Sequence, residues 1–213
     1  MRLSLIGMSG SGKSHWSIRL AELGFKRFCC DEMIARNLCA ELARADGTAM
    51  DLGEWMGFPY QPHYKEREAT YLACEIEVLD EILAYLAGPA RDPAEKVVVD
   101  TTGSVIYTGK QVMEKMCSLT TVVHFSTPPE VQERMLAVYT ARPRPILWRD
   151  LFSKKPDEAH ETALARCYPE LLSSRERLYE KYADVTIDYY NRNQDSFGVD
   201  DLLREIEAAK VKL

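Results

Sequence analysis

The stretch Leu3-Ser4-Leu5-Ile6-Gly7-Met8-Ser9-Gly10-Ser11-Gly12-Lys13-Ser14-His15-Trp16 decides how this 213-residue chain is read. A short apolar run feeds a loop of the form GxxxxGK followed by Ser or Thr, and the loop opens a helical pattern. That context gives the spacing a mechanism. Gly7, Gly10 and Gly12 let the backbone turn its N–H groups inward around a phosphate, with Ser9 and Ser11 in the same cradle. The helix beginning near Lys13 adds the positive end of its dipole, and Lys13 supplies a mobile charge for the β- and γ-phosphates. Ser14 is expected to ligate magnesium. The expected ligand is a nucleoside triphosphate, ATP, with Mg2+. A glycine-rich strand-to-helix turn without ligand is the plainer alternative.

Outward from this loop, short β-branched runs alternate with helical periodicity, the pattern of a parallel sheet covered on both faces. Leu3–Ile6, Lys26–Cys29, Val97–Asp100, Thr121–Phe125 and Val185–Asp188 read as strands. Helices are expected near 13–23, 31–45, 63–87, 108–117, 129–141, 168–182 and 199–211. Ile76, Leu79, Leu83 and Leu86, for example, fall on one helical face. Two stretches break the alternation. Residues 46–62 are rich in turn formers and aromatics, and residues 142–160 carry three prolines and several basic groups. They read as an acceptor-binding insertion and a mobile lid, with surface loops as the bland alternative.

Composition sets limits on the rest. With 46% hydrophobic and 28% charged residues, residues 1–213 are expected to form one α/β domain. A net charge of −6 and a pI near 5.4 argue against non-specific nucleic-acid binding. The glycine-rich loop begins within seven residues of Met1, which leaves no room for a signal peptide or membrane span and makes a cytoplasmic protein the expectation. Six cysteines show no CxxC pair and read as small buried hydrophobes. The four histidines form no spaced cluster and receive no ligand or base role.

A second carboxylate element follows the third strand. Val97-Val98-Val99-Asp100-Thr101-Thr102-Gly103 is an apolar run ending in Asp100, at the same sheet edge as the phosphate loop. An aspartate there can hold a magnesium-bound water. The alternative is a strand-end Asp that caps the turn.

Taken in order, these pieces resemble the shikimate kinase family, a nucleoside monophosphate kinase-like branch of the P-loop NTPases. The phosphate loop is followed by Leu20-Ala21-Glu22-Leu23-Gly24-Phe25, Phe28 and Asp31-Glu32-Met33-Ile34. Arg144-Pro145-Ile146-Leu147 is similar to the family's lid motif, Arg175-Glu176-Arg177-Leu178-Tyr179 to its substrate-binding helix, and Asp188 to Asn193 to its adenine-proximal loop. The resemblance implies a three-layer sandwich with the strand order 2-3-1-4-5 and a small lid. It also implies roles: Asp31 orients the acceptor hydroxyl or takes its proton, Arg175 grips an acceptor carboxylate, Arg144 or Arg142 closes on the transferring phosphoryl group, and Arg192 packs near adenine. Asp31 also reads as a helix N-cap, and Arg175 as a solvated helix charge. Residues 31–75 are the implied acceptor-binding segment.

The chain departs from the family at the acceptor. Cys29 stands where the family has the first carboxylate of its acidic motif, and magnesium selects oxygen over sulfur, so Asp100 is the expected replacement. Thr101-Thr102-Gly103 replaces a glycine triplet, with Thr102 and Gly103 expected at the substrate. Lys65 occupies the place of a substrate-binding arginine. The sequence therefore predicts an ATP- and Mg2+-dependent kinase for a small anionic hydroxyl acceptor, different from or larger than shikimate. A kinase for a nucleotide or sugar acid, and a non-catalytic ATP-binding regulator, are the competing readings. A GTP switch is disfavoured because no Asn-Lys-x-Asp segment reads guanine. The expected partners are ATP and the acceptor, with no nucleic acid and no membrane, and the chain is expected to be a monomer or weak homodimer.

Overall fold

The computed structural model describes residues 1–88, 92 and 94–210. Five strands, β1 (Arg2–Gly7), β2 (Lys26–Cys29), β3 (Val97–Asp100), β4 (Thr121–Phe125) and β5 (Val185–Ile187), form one all-parallel sheet in the order β2-β3-β1-β4-β5. This is the expected order. The helices are α1 (Lys13–Glu22), α2 (Cys30–Asn37), α3 (Cys39–Leu42), α4 (Leu52–Met56), α5 (Tyr64–Ala87), α6 (Lys110–Leu119), α7 (Pro129–Ala141), α8 (His160–Tyr182), α9 (Tyr189–Arg192) and α10 (Val199–Lys210).

Successive strand residues feed two cores because their side chains alternate across the sheet. Leu3, Leu5, Val98 and Val123 pack with Trp16 and Leu20 of α1 and with Leu202 and Ile206 of α10. Ile6, Val97, Val99 and Val122 face the other way, against α5, α6 and α8. This is the three-layer arrangement. The polar exception on β1, Ser4, is satisfied by the Thr120 hydroxyl at 2.8 Å.

Three sequence expectations change. The helix expected over 31–45 breaks at Leu38 into α2 and α3. Residues 46–62 contain α4, whose N-cap Asp51 accepts the Glu54 N–H at 2.8 Å. The helix expected from 168 begins at His160 and runs through Pro169, because Ala163, Leu164, Cys167 and Tyr168 already bury its inner face. The final position of the helix expected over 199–211 lies outside the described residues.

The segment 143–149 runs without regular structure between the helices and is held at several points. Tyr64 sits beneath it, receiving the Trp148 N–H at 2.8 Å, with its hydroxyl 2.8 Å from the Ile146 carbonyl and 2.9 Å from Glu68. Glu68 also accepts the Arg149 N–H at 2.8 Å. Trp148 is fully buried among Tyr139, Phe152 and Tyr168, and its Nε1 donates to the Tyr139 hydroxyl at 3.0 Å. Trp148→Ala is expected to cost about 3–5 kcal/mol. Urea unfolding checks this, as a lowered midpoint with an unchanged slope.

Candidate active site

The phosphate loop has the backbone its glycines were expected to allow. Gly10 and Gly12 have φ of 85° and 97°, in the left-handed region, and a Cβ on Gly7 would stand 2.8 Å from the Phe125 carbonyl. α1 begins at Lys13 with no side-chain cap, so its first N–H groups point into the loop. Lys13 is buried, and its Nζ donates to the Gly7 and Met8 carbonyls, each at 2.9 Å. Burial lowers its pKa, and the negative charges of Asp100 and Asp31 oppose that shift.

A cleft of about 700 Å³ opens beside the loop. Ser9, Gly10, Gly12, Lys13 and Ser14 line one side, and Thr101, Thr102 and Gly103 line the end of β3. Asp31, the stretch Met50–Gly53 and the segment Arg142–Pro145 complete it. Gly103 is held close: a Cβ there would stand 3.0 Å from the Ser9 nitrogen, and its carbonyl accepts from Arg175 at 3.3 Å and from the Tyr179 hydroxyl.

Behind Thr102 lies a carboxylate the sequence reading did not single out. Glu75 is fully buried and accepts hydroxyl hydrogen bonds from Thr102 and, at 2.6 Å, from Ser104. Burial pushes its carboxyl up to about 7, and the two hydroxyls oppose the shift. One signal in the sequence could have found it, because Glu75 sits one turn from Tyr71 and Val78, on the buried helical face that carries most of α5's apolar residues.

Asp31 is the second residue of α2, and Cys29 holds the cap position, so the N-cap reading of Asp31 does not apply. Asp31 lines the cleft and accepts from the Tyr71 hydroxyl at 3.2 Å. The protein around it raises its carboxyl above the ordinary value, and Lys13 opposes the rise. Burial pushes the Cys29 thiol up to about 11, so the group that replaces the family's carboxylate is neutral.

Asp100 lies at the end of β3, 3% exposed and outside the cleft lining. Its Oδ2 accepts from Ser17 at 2.8 Å and from Arg27 at 3.0 Å. Arg27 is a further residue the sequence reading missed, and it also binds Ser17 and Glu32.

The basic residues separate by position. Arg144 lines the cleft and reaches the loop, its Nη1 standing 3.5 Å from where a Gly10 Cβ would be. Arg142 lies on the cleft's far wall, paired with Asp51 at 2.7 Å. Arg175 is buried under the cleft and donates from Nη1 to the Gly103 carbonyl and from Nη2 to the Leu147 carbonyl, the second at 2.7 Å, while its Nε has no partner among the described residues. Lys65 is exposed on α5 and takes no part in the lining. The structure therefore does not bring these last two to the acceptor side, as the resemblance had implied.

A second cavity of about 260 Å³ lies on the other side of the loop, lined by Gly10, Gly12, Met135, Tyr139, Tyr189 and Asn193 among others. Arg192 is not part of that lining. It is buried behind it, over the Phe125 and Tyr189 rings, and donates to the Ile187 and Ser126 carbonyls at 2.9 and 2.6 Å. Its neighbours Tyr189 and Asn193 face the cavity instead.

No protein-family model matches the sequence, and a search of curated proteins gives no match. Solved structures do match. A shikimate kinase from Acinetobacter baumannii in complex with shikimate aligns with TM-score 0.61 and 22% identity, covering 99% of this chain and 93% of that one. The chain has the P-loop kinase fold. A shikimate kinase from Bacteroides thetaiotaomicron aligns with TM-score 0.59 at 20% identity over 100% of this chain and 95% of that one. A dephospho-CoA kinase from Campylobacter jejuni aligns at 0.53 and 17% over 100% and 98%.

Glu75 gives this site a measurable pH signature. Its pKa in the folded chain is raised from 4.5 to about 7, so its contribution to stability is complete below about pH 4.5 and is lost as pH climbs to about 7. The shift corresponds to about 3 kcal/mol at order-of-magnitude precision. Glu75→Gln is expected to lack that decline, so urea unfolding from pH 5 to pH 8 should show the variant gaining on the parent as pH rises.

Proposed function

We propose that this protein is a small-molecule kinase that transfers the γ-phosphoryl group of ATP to a hydroxyl. The observation that carries the reading is a single cleft holding the phosphate loop, Asp31 and Arg144. A non-catalytic nucleotide site has no use for a carboxylate and an arginine facing the same phosphates. In this reading the loop N–H groups and Lys13 hold the β- and γ-phosphates. Arg144 offsets charge on the transferring group, and Asp31, fixed by Tyr71, orients the acceptor hydroxyl or takes its proton. Tyr189 and Asn193 in the lining of the second cavity support that cavity as the place for the nucleotide's base.

The donor chemistry fits magnesium. Ser14 lines the cleft with a hydroxyl, and the nearby acids offer hard oxygen ligands. Among the described residues no cluster of three or more His, Cys, Asp or Glu could hold a metal by itself, which suits an ion bound mainly by phosphates and water. Ser14 would hold it directly, with Asp100 behind through water. Magnesium would supply charge neutralisation on the bridging phosphates. Asp100 stands outside the cleft lining with its Oδ2 held by Ser17 and Arg27, so its metal role rests on the sequence expectation alone.

The residues expected to hold an anionic acceptor, Lys65 and Arg175, stand outside the lining, so that part of the sequence expectation loses its support. The hydroxyl acceptor itself rests on Asp31 and is unaffected.

ADP release from Mg-ATP, measured with a panel of hydroxyl compounds, tests the proposal. Acceptor-dependent release is expected, and Lys13→Ala should reduce it about 100-fold or more. Tight ATP binding with no acceptor-dependent release would overturn the kinase reading. Asp100→Asn is expected to raise the magnesium concentration needed for half-maximal rate. Unchanged kinetics at limiting magnesium would remove Asp100 from the metal.

A further inference from the structure

The wall opposite the phosphate loop is built from α2, α5 and residues 42–53 together with the segment at Arg142. Its polar groups are Asp31, Glu32, Asp51 and Arg142, and its apolar surface comes chiefly from Leu42, Met50 and Leu52. Every pairing on this wall closes within the protein. Arg142 is held by Asp51 Oδ2 at 2.7 Å, and Glu32 is held by Arg27 at 2.9 Å. Asp51 is doubly committed, since its Oδ1 caps α4. The other cations of the cleft, Lys13 and Arg144, belong to the loop side, where ATP's own charge engages them.

Anion recognition by proteins relies on an available guanidinium or ammonium group. On this wall the guanidinium is that of Arg142, and Asp51 offsets its charge. Lys65 is exposed on α5 outside the lining, Arg67 donates to the Trp55 carbonyl and lies over the Trp55 ring, and Arg175 lies beneath Gly103 with its two terminal nitrogens on the Gly103 and Leu147 carbonyls. An incoming carboxylate or phosphate would have to share Arg142 with Asp51 and would meet Asp31 and Glu32 besides. A second positive charge is equally unsupported, because Glu32 is paired with Arg27, Asp51 with Arg142, and Asp31 is engaged by the Tyr71 hydroxyl.

We propose that the acceptor is an uncharged hydroxyl compound with an apolar face, laid against Leu42, Met50 and Leu52, and that the Asp51–Arg142 pair excludes its anionic relatives. Two sources share this chemistry, a nucleoside and a neutral carbocyclic or sugar alcohol. The inference rests on the kinase reading above and specifies its acceptor.

Matched acceptors test it, with kcat/KM taken from ADP release at saturating Mg-ATP. The pairs are a nucleoside and its monophosphate, a hexose and its uronate and amino sugar, and shikimate and its methyl ester. The uncharged member of at least one set is expected to exceed its charged relatives by tenfold or more, and the set in which it does so distinguishes the two sources. Preference for an anionic or amino member would leave the kinase reading standing and overturn the acceptor assignment. If no compound is phosphorylated by a protein that still binds ATP, the kinase reading fails and the assignment falls with it.

Asp51→Asn supplies an independent arm. Asparagine retains the helix cap but releases Arg142, so the variant is expected to shift preference at least tenfold toward the anionic member of each pair. An unchanged preference in a variant that melts like the parent would overturn the role given to the pair.

Discussion

The parallel pairing of β1 with β3 is the constraint on which the site depends. Leu5 lies opposite Asp100 in that ladder, so both strands end at the same edge, and the turns that follow them must share one space. The Leu5 carbonyl then receives the Thr101 hydroxyl at 2.7 Å, and Gly103 is drawn in until a side chain there would press on the Ser9 nitrogen at 3.0 Å. A phosphate loop on β1 and an acidic turn on β3 are thereby joined before any ligand arrives. Arg175 and Tyr179 finish the joint from α8 by holding the Gly103 carbonyl. Arg175 is buried there, with its Nε left without a partner among the described residues.

The same logic gives the segment over the cleft its character. A free lid would carry few contacts, yet residues 143–149 are fastened through Tyr64, Glu68 and Arg175, and Trp148 is sunk in an aromatic cluster. A side chain on Gly53 would collide with the Pro143 carbonyl at 2.1 Å, so α4 and the strap meet backbone to backbone. The insertion at 46–62 and the strap therefore form one wall. That wall bounds the cleft and carries Arg144 to the loop.

The sequence made legible whatever depends on short-range pattern. The loop Gly7–Ser14 announces its own geometry, and the alternation of apolar runs with helical periodicity gives the strands and, with the family's motif order, the sheet order. What it did not show depends on which way a helix face turns and on who already holds a charge. Lys65 and Arg175 sit in motif positions, but the rotation of α5 sends one to solvent and that of α8 sends the other beneath the turn. Glu75 and Arg27 have no motif at all, and their importance comes from partners 27 and 73 residues away in the chain. The α4 helix was hidden by glycine and aromatic residues that read as loop, although its Asp51 cap was in plain view.

The account's central claim is that the phosphate loop and Asp31 face one another across a cleft where a phosphoryl group changes hands. Comparing ATP affinity with single-turnover transfer of labelled γ-phosphate, in the parent and in Asp31→Asn, tests it most directly. The account predicts ATP affinity within about threefold and transfer slowed about 100-fold or more, the range for loss of a general base. Equal transfer rates in the two proteins would contradict it.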